Sequence, residues 1–106
     1  MKFTKATRVK RSADVLHRDI DGEAILVDLG SGRFFGLDEV GTRVWDGMAA
    51  EVPVDALVDR VVAEFEVSRP RAEKDILRLI GDLAKRGLVK TRPGAAEAGR
   101  EVRNGA

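Results

Sequence analysis

No cysteine occurs among the 106 residues, and His17 is the single histidine. Disulfides and thiolate chemistry are thereby excluded, and a metal or nucleophile site built on clustered Cys and His has no donors. His17 lies on an expected strand without such partners, so it reads as a structural or surface residue. No apolar run approaches the roughly 20 residues that a membrane span needs. The start, Met1-Lys2-Phe3-Thr4-Lys5, lacks the apolar centre of a secretory signal. These absences lead to the expectation of a cytoplasmic chain. A G-x-S-x-G elbow, zinc spacing and a calcium loop are also missing. Gly30-Ser31-Gly32-Arg33 is glycine-rich, but no Lys-Ser/Thr follows and a strand comes next, where a phosphate loop needs a helix. The carboxylates stand at helix-surface spacing and read as solvated faces. Catalysis, metals and cofactors therefore find no foothold.

What is present describes one ordinary folded domain, with 43% hydrophobic and 35% charged residues. The net charge of +1 is unevenly spread: +4 over residues 1–14, +1 over 92–106, and −4 over 15–91, where 15 acidic residues face 11 basic ones. A duplex-binding domain keeps its positive charge on the folded face that meets the phosphates. Here the folded part is mildly acidic, which argues against nucleic acid.

The stretch Ser31–Trp45 organises the chain. Phe34 and Phe35 sit in a short β-prone run, and from Val40 the apolar residues Val40, Val44 and Met48 recur at helical spacing, with Trp45 beside them. That switch of period marks a strand leading into a helix. Before it, residues 1–14 show no period and read as a basic arm or an irregular first strand. Val15–Ile20 alternates, Asp21-Gly22 is a two-residue hairpin signal, and Glu23–Leu29 returns with Ile25, Val27 and Leu29 on one face and Leu26 on the other. Gly30-Ser31-Gly32 turns the chain again into a third strand, Arg33–Leu37. The expected result is a three-stranded antiparallel meander with two open edges.

Three helices follow. Asp38 caps the first, which is expected to reach about Ala50, with Gly41 marking a close backbone approach. Pro53 starts the second, whose core stripe is Val54, Leu57, Val58, Val61, Val62 and Phe65. Pro70 belongs to the first turn of the third, whose stripe is Ala72, Ile76, Leu79, Ile80 and Leu83, closed by Gly87. Leu88-Val89-Lys90 reads as a short last strand or extended segment, and residues 92–106 as a disordered tail. The domain proper is expected over 15–91.

Helix–turn–helix spacing in this α part raises DNA reading as one alternative, with Arg69 and Arg71 at the start of the third helix. Glu73 and Asp75, one turn further on, would face phosphates and oppose it. An open strand edge offers another use, docking an extended peptide by main-chain hydrogen bonds. Phe34 and Phe35 alternate, so one faces the core and the other can line a groove, unless both simply fill the interior. Homodimerisation through the same edge is a third possibility.

The order of these features resembles the PqqD-like family of peptide chaperones, also called RiPP precursor recognition elements. The resemblance spans about Val15 to Val89. Its most specific part is Gly32-Arg33-Phe34-Phe35-Gly36-Leu37-Asp38-Glu39-Val40-Gly41 with Val44-Trp45; Val15–Arg18, Ile25–Leu29, Asp75-Ile76-Leu77, Leu83 and Gly87-Leu88-Val89 support it. It implies an α+β fold like a winged helix–turn–helix, a three-stranded sheet followed by three helices. It further implies binding of the leader region of a ribosomally made precursor peptide as an added strand. On this chain the strand residues are Arg33, Phe34, Phe35, Gly36 and Leu37. The helix contributors are Asp75, Arg78, Leu79 and Asp82. The resemblance implies no catalysis and no cofactor; chemistry belongs to a partner such as a radical SAM enzyme or, in lasso-peptide systems, a leader peptidase.

Overall fold

In the computed structural model, which describes residues 3–94, nine elements follow one another. They are β1 (Arg8–Arg11), β2 (Val15–Ile20), β3 (Glu23–Asp28), β4 (Phe34–Gly36), α1 (Glu39–Asp46), β5 (Val52–Pro53), α2 (Val54–Glu64), α3 (Arg69–Lys85) and β6 (Val89–Arg92). Strands β2, β3 and β4 form the expected antiparallel meander. Its hairpin turns at Asp21 and Gly22 with φ of 55° and 85°, the positive values that a type I′ turn demands. The fold class is α+β, a three-stranded antiparallel sheet followed by three helices.

The sheet shows the expected alternation, but its inner face is the less apolar-looking one. Ala24 and Leu26 are buried, whereas Ile25 and Leu29 are exposed. Register explains the choice. Leu26 pairs with Phe35, and Phe35 and Leu37 are drawn inward because the chain passes directly from them into α1. Residues opposite one another share a face, so Leu26 must follow.

Helix α1 starts where Asp38 directs it, with the carboxylate accepting from the Gly41 N–H at 2.7 Å. A Cβ on Gly41 would lie 3.3 Å from Leu37 Cδ2, the close approach expected there. The helix stops at Asp46, well short of Ala50. Gly47 caps it, and a Cβ there would lie 2.8 Å from Leu57 Cδ2, so the chain passes tightly over α2. Ser68 caps α3, and Gly87 follows it with φ of 73°. Trp45, Met48, Leu57, Ile76, Ile80 and Leu83 are completely enclosed between the helices and the inner sheet face.

A second sheet, in the order β5-β1-β6, joins two segments for which the sequence left a strand as one of two readings, and adds β5, which it did not suggest. Residues 8–11, within the segment that reads as an arm or an irregular first strand, form β1 and pair with Val89–Arg92. Val9 alone among them is buried and apolar, and one such residue cannot display a period. Arg11 fixes the strand to the core by donating to the Trp45 carbonyl at 3.0 Å, its guanidinium 5.0 Å over the indole ring. Arg92, the first residue of the expected tail, is the last of β6; residues 95–106 lie outside the described part.

Glu51 ties this sheet together. Its carboxylate accepts from Arg8 Nε at 2.8 Å and from Arg92 Nε at 2.7 Å. Hydrogen bonds from Arg92, then from Arg8, lower its pKa from 4.5 to about 2. A depressed carboxylate stabilises the fold fully above its unfolded value and loses that contribution as pH falls through the folded one. Glu51→Gln is therefore expected to lower the thermal midpoint modestly at pH 7. Melts recorded between pH 4.5 and 2 should show the deficit shrinking; a deficit independent of pH would assign the effect to packing.

Candidate functional site: a strand edge facing a helix

Strand β4 is an edge of its sheet, and main-chain geometry shows which of its groups are free. Asp28 N–H donates to the Arg33 carbonyl at 2.9 Å, and Leu37 N–H donates to the Ala24 carbonyl at 2.8 Å. The Arg33 carbonyl and residues 35 and 37 thus face β3, while the Arg33 N–H donates to the Ser31 hydroxyl at 3.2 Å. By antiparallel alternation, the N–H and C=O of Phe34 and Gly36 point out of the sheet. No Cβ contact within 4 Å would be made at Gly36, so the edge there is open.

Helix α3 lies across from this edge and runs opposite to it. The C-terminal end of β4 borders a cleft of about 730 Å³ together with Ala72, Asp75, Ile76, Arg78 and Leu79. Its walls continue through Val61, Phe65 and Val67 at the end of α2. The N-terminal end of β4 borders a second, more polar recess of about 560 Å³, shared with Asp82, Lys85 and Arg86 at the far end of α3. Phe35 stands at the junction of the two, its ring capped by the Arg86 guanidinium 4.9 Å away. It is the phenylalanine that faces the helix; Phe34 is 72% exposed.

All nine residues singled out from the sequence border this groove. Arg33, Phe34 and Phe35 line the polar recess, and Phe35, Gly36 and Leu37 the apolar one. Asp75, Arg78 and Leu79 stand opposite the strand in the apolar part, and Asp82 in the polar part. The sequence reading did not include Phe65, Val67, Lys85 or Arg86. Phe65 carried a signal, since it ends the apolar stripe of α2 yet remains only half-buried. Lys85 and Arg86 read as cations favoured by the helix dipole, and nothing local placed them beside Arg33.

The start of α3 is poorly suited to reading bases. Arg69 is held by Asp55 and Asp59 at 2.7 Å each, and these carboxylates raise its pKa, Asp59 foremost. Arg71 lies 3.6 Å from Asp75. His17 is exposed on β2, two strands from the groove, with its ring edge-on to Trp45 at 6.3 Å.

Comparison with known proteins agrees with this architecture. The family described as Coenzyme PQQ synthesis protein D (PqqD) matches residues 23–89, which include β3, β4 and all three helices. Among solved structures, TbiB1 in complex with the TbiA(beta) leader peptide is 36% identical, over 76% of this chain and 94% of that one, with a TM-score of 0.71. A lasso peptide synthetase B1 complexed with the leader peptide shares the fold at 21% identity, over 77% of this chain and 96% of that one, with a TM-score of 0.63. No curated protein matches. With its matched span covering well over half the residues, the chain belongs to the PqqD family.

Proposed function

We propose that this protein is a non-catalytic recognition module for the leader region of a ribosomally made precursor peptide. The leader adds as a strand to β4 and lies in the groove against α3, and the module hands the bound precursor to a modifying enzyme or leader peptidase. One observation carries this reading: the outward N–H and C=O groups of Phe34 and Gly36 lie along a groove, polar beside Phe34 and apolar beside Gly36. Main-chain bonds supply affinity there, while the cleft reads alternate side chains. The 36% identity to TbiB1, a protein seen with a leader peptide bound, supports it. Precursors are made on ribosomes, so the proposed encounter takes place in the cytoplasm.

The energetics are coherent. A disordered leader loses ordering entropy on docking, and strand hydrogen bonds with one or two apolar anchors offset it, leaving Kd values of roughly micromolar to nanomolar. Calorimetric titration with the leader of the cognate precursor peptide is the test. Saturable one-to-one binding that duplex DNA does not compete away is the expected outcome. No binding to that leader, or tight salt-sensitive binding to the duplex, would sink the proposal.

A further inference from the structure

The two ends of the groove differ in charge, and the difference has a direction. At the N-terminal end of β4 stand Arg33, Lys85 and Arg86 with Asp28 and Asp82. Asp28 is already engaged, accepting from the Gly30 N–H at 3.0 Å and the Ser31 hydroxyl at 2.9 Å. Among the described residues Arg33 and Lys85 make no ion pair, and Arg86 rests on the Phe35 ring. This end therefore presents cations in excess. At the other end the apolar recess is bordered by Asp38, Glu66 and Asp75 against Arg78, with Arg71 outside the recess paired to Asp75 at 3.6 Å. Over residues 3–94 the charges balance, 16 basic against 16 acidic, yet cations gather at one end of the groove.

Resting on the peptide-docking reading above, we infer that the groove takes a peptide of defined charge order: an apolar anchor followed, toward its C-terminus, by an acidic side chain. The anchor fills the recess formed by Leu37, Phe65, Ile76 and Leu79. The carboxylate meets Arg33, Lys85 and Arg86. The order follows from strand polarity. Every pair in this sheet is antiparallel, and an added strand that keeps the pattern runs from the Gly36 end of β4 to its Phe34 end. Its earlier residues therefore lie over the apolar recess and its later ones over the cations. A peptide entering in the parallel sense would bring its acid to Asp38, Glu66 and Asp75, where like charges oppose it. The charge gradient thus selects direction as well as composition.

The test is selection of random dodecapeptides displayed on phage against the full chain and against the Arg33→Glu/Lys85→Glu variant. Both altered side chains are exposed. Peptides enriched on the unaltered chain are expected to carry Asp or Glu on the C-terminal side of an apolar residue. They should lose about tenfold in affinity on the variant, whose own selection should favour Lys or Arg at that place. Acid on the N-terminal side, no charge preference, or a preference untouched by the reversal would each overturn the charge order. Gly36→Pro separates the two claims. Failure to enrich any peptide that this variant excludes would overturn strand docking itself, and the charge order with it.

Discussion

Gly36→Pro is expected to weaken leader binding by about 100-fold or more while leaving the cooperative unfolding transition in place. The Gly36 N–H faces away from β3, so proline there removes a donor aimed at the ligand and no bond within the sheet. Gly36 is paired with Ile25 in extended backbone, its φ is not left-handed, and a Cβ meets nothing within 4 Å. Phe35, the preceding residue, is already in the extended conformation that proline prefers before it. The ring nevertheless projects into the space that an added strand must occupy. Losing one main-chain bond costs about 1 kcal/mol, and steric displacement of the neighbouring bonds brings the total to about 3 kcal/mol, which is roughly 100-fold. Undiminished affinity in a calorimetric titration would remove β4 from the interface.

Leu79→Asp is the second large effect, expected at roughly 30-fold. Leu79 is half-buried on α3 and borders the apolar recess opposite Leu37. Removing its apolar surface and placing a carboxylate beside Asp75 forfeits about 2 kcal/mol of binding. The fold should tolerate the change, because Ile76, Ile80 and Leu83 on the same helix, and not Leu79, are the fully enclosed residues. Circular dichroism separates the cases. Native melting with weak binding supports the groove, whereas an unfolded variant would make Leu79 part of the core.

Both variants rest on features with different degrees of legibility in the sequence. Strand β4 and its passage into α1 could be read locally: the Phe34-Phe35 run, Asp38 as cap and the helical recurrence of Val40 and Val44 all lie within a few residues of one another. The same holds for the Asp21-Gly22 hairpin and for Pro70 and Gly87 at the ends of α3. What escaped depends on partners far away in the chain. Strand β1 could not be told from an arm, because it forms only where residues 8–11 meet residues 89–92 and Val9 alone gives no period. The inward face of β3 was decided by its pairing with Phe35, against the apolar weight of Ile25 and Leu29. Lys85 and Arg86 are ordinary C-terminal cations until the antiparallel placement of α3 sets them beside Arg33. Local chemistry specifies elements; which side chains share a groove is a property of their assembly.

The central claim is that a peptide adds to the outer edge of β4, and amide hydrogen exchange of the full chain, with and without saturating leader, addresses it residue by residue. In the free protein the Phe34 and Gly36 amides lack a partner across the edge, whereas Leu37 is already bonded to Ala24. Bound leader is expected to slow exchange at Phe34 and Gly36 by about tenfold or more, with smaller changes at Phe35 and Leu37. Unchanged exchange at Phe34 and Gly36, or protection confined to the opposite sheet edge at Val15–Ile20, would contradict it.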